Sequence, residues 1–296
     1  MKLLSIALLL CSPLALAQDS EPQRLVHGAP LFNPNVAVHV VEKKPFRDRG
    51  KHEIILYPTT VQVNGKFTQH FGTALSYVYH LQENFGLQLL GQYNWYSRES
   101  GFNQELINKV REEAQAATSL LLVWSAQAGV EVSPIYGKFA LYQGTLAHFS
   151  VVFDGGAGLG STRHQLRPSN ASGPATYGDT GTKFVGSVGG GFRLQLGDRY
   201  AFRLEIRDLI YSARVDRVNG CNTADLNALD AKLRQGEAIT SAQVGKACQV
   251  QSFDGVDRKT GYNRSDDIPL ALNLVNVPSS DILNNLGFYV GFSVLF

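Results

Sequence analysis

The stretch NLGFYVGFSVLF, residues 285–296, constrains the fold of this chain more than any other. Leu286, Phe288, Val290, Phe292, Val294 and Phe296 share one parity, and Asn285, Gly287, Gly291 and Ser293 share the other. Period-2 alternation over about eleven residues is what a tilted strand needs to cross the hydrocarbon core of a membrane. In a soluble sheet, so apolar an edge would template aggregation. The segment reads as a membrane-crossing strand, with a buried sandwich strand as the alternative.

The same alternation recurs upstream. Phe71, Leu75, Tyr77 and Tyr79 oppose His70, Ser76 and His80; Phe85, Leu87, Leu89, Tyr93 and Trp95 oppose Gln88, Gln92 and Asn94. Trp124, Ala126, Ala128 and Val130 oppose Ser125, Gln127 and Glu131. Phe153, Ala157 and Leu159 oppose Asp154, and Val188, Phe192, Leu194 and Leu196 oppose Ser187, Arg193 and Gln195.

RYAFRLEIRD decides which face is which, because Phe202, Leu204 and Ile206 alternate with Arg203, Glu205 and Arg207. An arginine facing lipid near the midplane costs about 2–4 kcal/mol, so the charged parity must face the lumen. Near Asp208 the pattern slips, since Leu209 and Tyr211 fall on the polar parity; a bulge, or the strand leaving the membrane, accounts for this.

Eight strands are expected, over about 52–63, 66–80, 84–97, 119–133, 149–163, 183–196, 200–214 and 285–296. The fold class is an all-β, transmembrane antiparallel barrel with helical external loops. With both termini in the periplasm, the external connections are Asn64-Gly65 and about 98–118, 164–182 and 215–284. Three of the four are long, as outer-membrane barrels prefer. Pro134–His148 is long enough to hide two more short strands, which makes ten the alternative count.

The barrel also reconciles 44% hydrophobic residues with a mean hydropathy of −0.09, since its two faces cancel in any average. No apolar run long enough for a membrane helix follows the leader. A net charge of +2 argues against a nucleic-acid partner.

Residues 1–17 read as an export signal: Lys2, the apolar run Leu3–Leu10 and Ala15-Leu16-Ala17 match its three regions. Cys11 follows leucines rather than the small residues of a lipoprotein site, so it belongs to the discarded leader. Residues 18–50 form an N-terminal periplasmic segment and 51–296 the barrel, destined for the bacterial outer membrane. Its partners are then membrane lipid and the bacterial barrel-assembly machinery. A strand closing on phenylalanine has the form of that machinery's client signal, carried here by Phe292, Val294 and Phe296.

Beyond the leader only Cys221 and Cys248 remain, and two cysteines in an oxidising compartment suggest one disulfide. Closing that loop would contribute ~3–4 kcal/mol. Neither cysteine has metal-ligand spacing. FNQELINKVREEAQAA places Leu106, Ile107, Val110 and Ala114 on one helical stripe with Asn103 as a cap, and Thr223 is the cap candidate of a second helix between the cysteines. The run IPLALNLVNVP, residues 268–278, is apolar on both parities and must be buried against the barrel rim or another protein. Leu270, Leu272 and Leu274 are therefore candidate docking residues for a partner outer-membrane barrel, an adhesin or a periplasmic protein.

RGKHEIILYP, YHLQENFGLQL, ELINKVREEAQAATSLLLVWS, GGGFRLQLGDR, RLEIRDLIYSARVDRVNGC and NLGFYVGFSVLF together resemble the outer-membrane β-barrel family of myxobacteria and related deltaproteobacteria. The resemblance runs from about Arg49 to Phe296 and is closest to the barrel subunits of the Glt gliding-motility complex. It implies a non-enzymatic component of an envelope-spanning motility assembly, with no cofactor and no catalytic residue to carry over.

Two other function classes stand beside that one. A hydrolase would need a nucleophile, a His base and an orienting carboxylate within reach. His70, His80 and His164, with Ser161 and Asp154, are the candidates, but Asp154 and His164 lie ~30 Å apart if their strand is extended. A small-solute pore would need an open lumen, whereas Glu131, Asp154, Arg193, Arg203, Glu205 and Arg207 suggest an ion-pair network filling it. Gly155–Gly160 looks superficially like a nucleotide loop but keeps strand parity. Asp254, Asp257, Asp266 and Asp267 lack calcium-loop spacing.

Overall fold

A computed structural model describes residues 48–64, 67–101, 105, 120–140, 146–167, 175–197, 199–258, 261–276 and 281–296. The leader, most of the N-terminal segment and nearly all of the helix expected within residues 102–117 lie outside the described residues.

Eight antiparallel strands close into one barrel in sequence order. They are β1 (His52–Asn64), β2 (Thr68–Gln82), β3 (Phe85–Glu99), β4 (Leu120–Ala140), β5 (Leu146–Arg167), β6 (Thr176–Leu196), β7 (Tyr200–Ser212) and β8 (Ile282–Leu295). The seam is made by β1 on β8, with Val61 opposite Phe288. Pro58 cannot donate to a ladder, and β1 shifts register around it against both neighbours.

The barrel has the eight strands expected and not ten. Among its described residues Pro134–His148 holds no extra strands; it lengthens β4 and β5, with a bulge between Val132 and Ile135. At the opposite end β5 and β6 also run further than expected, so the 164–182 connection shrinks to residues 168–175 and His164 lies within β5. That external connection is short rather than long.

The outer face is apolar on every strand, with Leu89, Trp95, Phe153, Phe184, Ile206 and Phe292 among its exposed residues. So large a continuous belt is stable only against an apolar solvent. Along β8 exposed and buried residues alternate without a break.

β7 contains no bulge: it pairs with β6 and β8 without a register shift. Leu209 and Tyr211 point inward and are buried. The inward parity turns apolar there because the barrel mouth is filled by a hydrophobic core, so the slip in pattern marks a change of filling.

That core is built with the β7–β8 connection. Asn222, rather than Thr223, caps α1 (Thr223–Arg234), accepting from the Asp225 backbone N–H while the Asp225 carboxylate accepts from Asn222 N–H. The apolar run forms α2 (Ile268–Asn276), which buries Ile268, Ala271 and Val275 at helical spacing. Cys221 and Cys248 are joined by a disulfide. Leu226, Leu229, Phe253 and Ile268 of this cap share one cluster with Leu120, Leu122, Leu209, Tyr211 and Leu283 of the barrel.

Candidate functional site

Among the described residues the lumen gathers a dense set of buried charges. Inward parity on β7 delivers Arg203, Glu205 and Arg207, and register brings carboxylates from distant strands to meet them. The Arg203 guanidinium donates to Glu53 Oε1 at 3.0 Å and Oε2 at 2.8 Å. It also donates to Glu131 Oε2 at 2.7 Å and Oε1 at 3.0 Å, and to Glu205 Oε1 at 3.1 Å. One side chain thus ties β7 to β1 and β4 through the barrel interior.

Arg207 donates to Glu205 Oε2 at 2.9 and 2.6 Å and to Gln88 Oε1 at 3.1 Å, and pairs with Asp154 at 3.0 Å. Tyr57 donates its hydroxyl to Glu205 at 2.7 Å. Nearer the end where β1 begins, Arg193 donates to Asp48 at 3.0 Å and lies 3.5 Å from Glu53. His80 Nε2 lies 2.8 Å from Glu53 Oε2.

All six residues expected in the lumen are buried. Sequence reasoning missed Glu53, Asp48, Tyr57 and Gln88 as their partners. In HEIILY both parities are apolar, with Ile54 and Leu56 facing out and Ile55 and Tyr57 facing in. The inward address of Glu53 therefore carries no contrast in the sequence.

Glu53, His80 and Glu131 bring three metal-ligand atoms within 4.8 Å of one another. Arg203 is bidentate to both carboxylates, so a guanidinium already supplies the cation and the group does not fit an ion.

The barrel mouth is closed differently. Residues 120–122 of β4 have no β3 partner, since that ladder ends at Tyr93 opposite Trp124. Side chains replace it. Leu122 N–H donates to His70 Nε2 at 3.1 Å, while Leu122 O accepts from Asn94 at 2.9 Å and Ser97 at 3.2 Å. Leu120 O accepts from the Tyr211 hydroxyl at 3.0 Å. Bonds to β2, β3 and β7 hold these leucines across the mouth, beneath the cap.

The hydrolase candidates are not brought together. His70 is occupied at Nε2 by Leu122, His80 belongs to Glu53, and Asp154 belongs to Arg207. Ser161 lies on the outer parity of β5 and His164 is buried.

The remaining expected residues fall elsewhere. Phe292, Val294 and Phe296 project from the outer face, exposed by 62%, 44% and 63%. Leu272 and Leu274 are half-buried against the cap's own core, and Leu270 is half-buried beside them. The Gly155–Gly160 run lies inside β5.

No family model matches the chain, and no curated protein matches it. Among solved structures it is similar to the N-terminal β-barrel domain of Pseudomonas aeruginosa OprF, at 8% identity and a TM-score of 0.32, covering 84% of this chain and 98% of that one. It is likewise similar to Ail, the attachment invasion locus protein of Yersinia pestis, at 8% identity and a TM-score of 0.33, covering 84% and 99%. Neisserial surface protein A matches at 8% identity and a TM-score of 0.32, covering 83% and 96%. At these scores the superpositions add nothing to the strand register, which by itself establishes a closed eight-stranded barrel.

Proposed function

We propose that this chain is a bacterial outer-membrane barrel acting as a rigid, non-conducting and non-enzymatic subunit of an envelope-spanning assembly. The observation that carries the reading is Arg203, bonded at once to Glu53 and Glu131 in the middle of the lumen. A guanidinium bonded at all three nitrogens in a low-dielectric interior holds one geometry and resists the rearrangement that conduction or substrate entry requires. The mouth above is filled by Leu120–Leu122 and the cap. The lumen is thus filled and rigid, and the remaining surfaces for work are the apolar wall and the cap.

The resemblance to barrel subunits of a gliding-motility complex names the assembly this reading favours, with a second barrel or a periplasmic protein as partner. Deleting the protein should then destabilise or delocalise partner envelope proteins without loss of any hydrolytic or acyl-transfer activity. Single-channel recording on reconstituted protein should give no steady conductance. Steady channels from the intact chain would overturn the sealed scaffold, and unaltered partner levels would overturn the assembly.

A further inference from the structure

We infer that the outer wall carries a binding site for one anionic phospholipid, at the end of the barrel where β1 begins. The inference rests on the reading above that this wall faces lipid. Its core is a hollow of about 510 Å³, lined by His52, Tyr77, Tyr79, Leu87, Leu89 and Ala128 among others. That size falls within the ~300–1,000 Å³ of small-molecule sites.

Register explains the hollow. Tyr79 stands opposite His52 and Leu87, and Tyr77 opposite Leu89. Leu89 in turn stands opposite Ala128, where the wall steps down to a methyl group. Two tyrosines and two leucines thus border a furrow that an acyl chain can fill with dispersion contacts.

The head of the furrow is polar and fixed. His52 Nδ1 lies 2.6 Å from the Tyr77 hydroxyl, and its ring stacks on Phe296 at 5.7 Å and against Tyr79 at 5.0 Å. Nε2 has no hydrogen bond among the described residues, so an oriented ring nitrogen is presented beside the furrow.

The turn leading into β1 adds cations. Gly50 N–H donates to His80 O at 2.7 Å and Lys51 N–H to Asp48 O at 2.9 Å, which anchors the turn on β2. Asp48 is spent on Arg193 inside the barrel. Arg49, exposed, and Lys51, half-buried, lie three residues and one residue before His52 in this turn, with no carboxylate partner among the described residues. Two cations in the turn and an imidazole at the same end of an apolar furrow are the chemistry that a phosphate joined to acyl chains calls for. A free phosphate would use the head of the site and leave the furrow empty.

The test uses the full mature chain, purified in mild detergent and examined by native mass spectrometry with phosphatidylglycerol or phosphatidylcholine. One phosphatidylglycerol per barrel should be retained, and glycerol phosphate should fail to displace it. Ala128→Leu fills the furrow with a side chain suited to the lipid face, and should weaken retention by roughly tenfold. The double variant Arg49→Gln/Lys51→Gln should remove the preference over phosphatidylcholine. Heat-modifiable migration, measured on every variant, reports folding separately. A folded wild type without retained lipid, or a folded Ala128→Leu variant with unchanged retention, overturns the site while leaving the barrel reading intact. Failure of the wild type to fold into detergent micelles would overturn both.

Discussion

Arg203 on β7 and Glu53 on β1, 150 residues apart in the chain, form a two-point ion pair in the centre of the barrel. Two further glutamates share the same guanidinium, so Arg203 is the common counter-ion of Glu53, Glu131 and Glu205. Removing it leaves Glu131 without a cation among the described residues and takes from Glu53 and Glu205 their shared counter-ion, with Arg193 and Arg207 as the cations that remain.

Arg203→Met should therefore destabilise the folded barrel by about 3–5 kcal/mol, as loss of one member of a buried ion set does. Denaturant unfolding in detergent micelles measures it. Arg203→Lys should recover only part, since a point charge cannot serve two carboxylates bidentately. A wild-type midpoint for Arg203→Met would show that the network contributes nothing.

The cap should respond independently of the barrel. Replacing Cys221 and Cys248 with serine removes ~3–4 kcal/mol of loop-closure stabilisation, so limited proteolysis should cut within 213–281 while heat-modifiable migration persists. The same pair, and Leu272→Asp with Leu274→Asp, should reduce co-purification of envelope partners if the cap docks them. Intact partner recovery from a protease-sensitive cap would end the docking idea.

Two glycines on β5 should behave oppositely. A Cβ on Gly158 would fall on the Ala126 carbonyl and within 2.6 Å of Gln127 Cα, which is backbone that cannot yield. At Gly155 the nearest atom is Ser187 O at 3.8 Å. Gly158→Val should abolish assembly and Gly155→Ala should assemble normally, both read by heat-modifiable migration. Equal assembly of the two would contradict the close strand contact at Gly158.

Phe296→Asp should lower outer-membrane levels sharply. Phe296 and His52 exchange backbone hydrogen bonds at 2.9 Å, so the residue also closes the seam. Refolding purified Phe296→Asp into detergent separates the two roles. Normal refolding with poor cellular assembly points to recognition, poor refolding points to the seam, and normal levels in cells would remove both.

Changing His70, His80 and His164 together to alanine should lower stability, because Leu122 N–H and Glu53 each lose a partner. It should leave the envelope phenotype intact. Loss of function in a triple variant that still folds would revive an enzyme.

The sequence by itself determined the barrel and the face that strands of clear polar/apolar contrast turn to lipid, because both depend on local alternation; it favoured eight strands over ten, and the closed register decided between them. Arg203, Glu205 and Arg207 could be assigned to the lumen from three neighbouring apolar residues, and Cys221 and Cys248 to each other by elimination. Only the closed structure decided what those charges meet. Glu53 reaches Arg203 because β1 joins β8 at the seam, and Glu131 because the interior of eight strands is narrow enough for side chains from β4 and β7 to touch. The turn of Leu209 and Tyr211 into the mouth, and the helical form of 268–276, were likewise settled by the cap's core. Parity records which face a residue takes, but not what fills the space that face encloses.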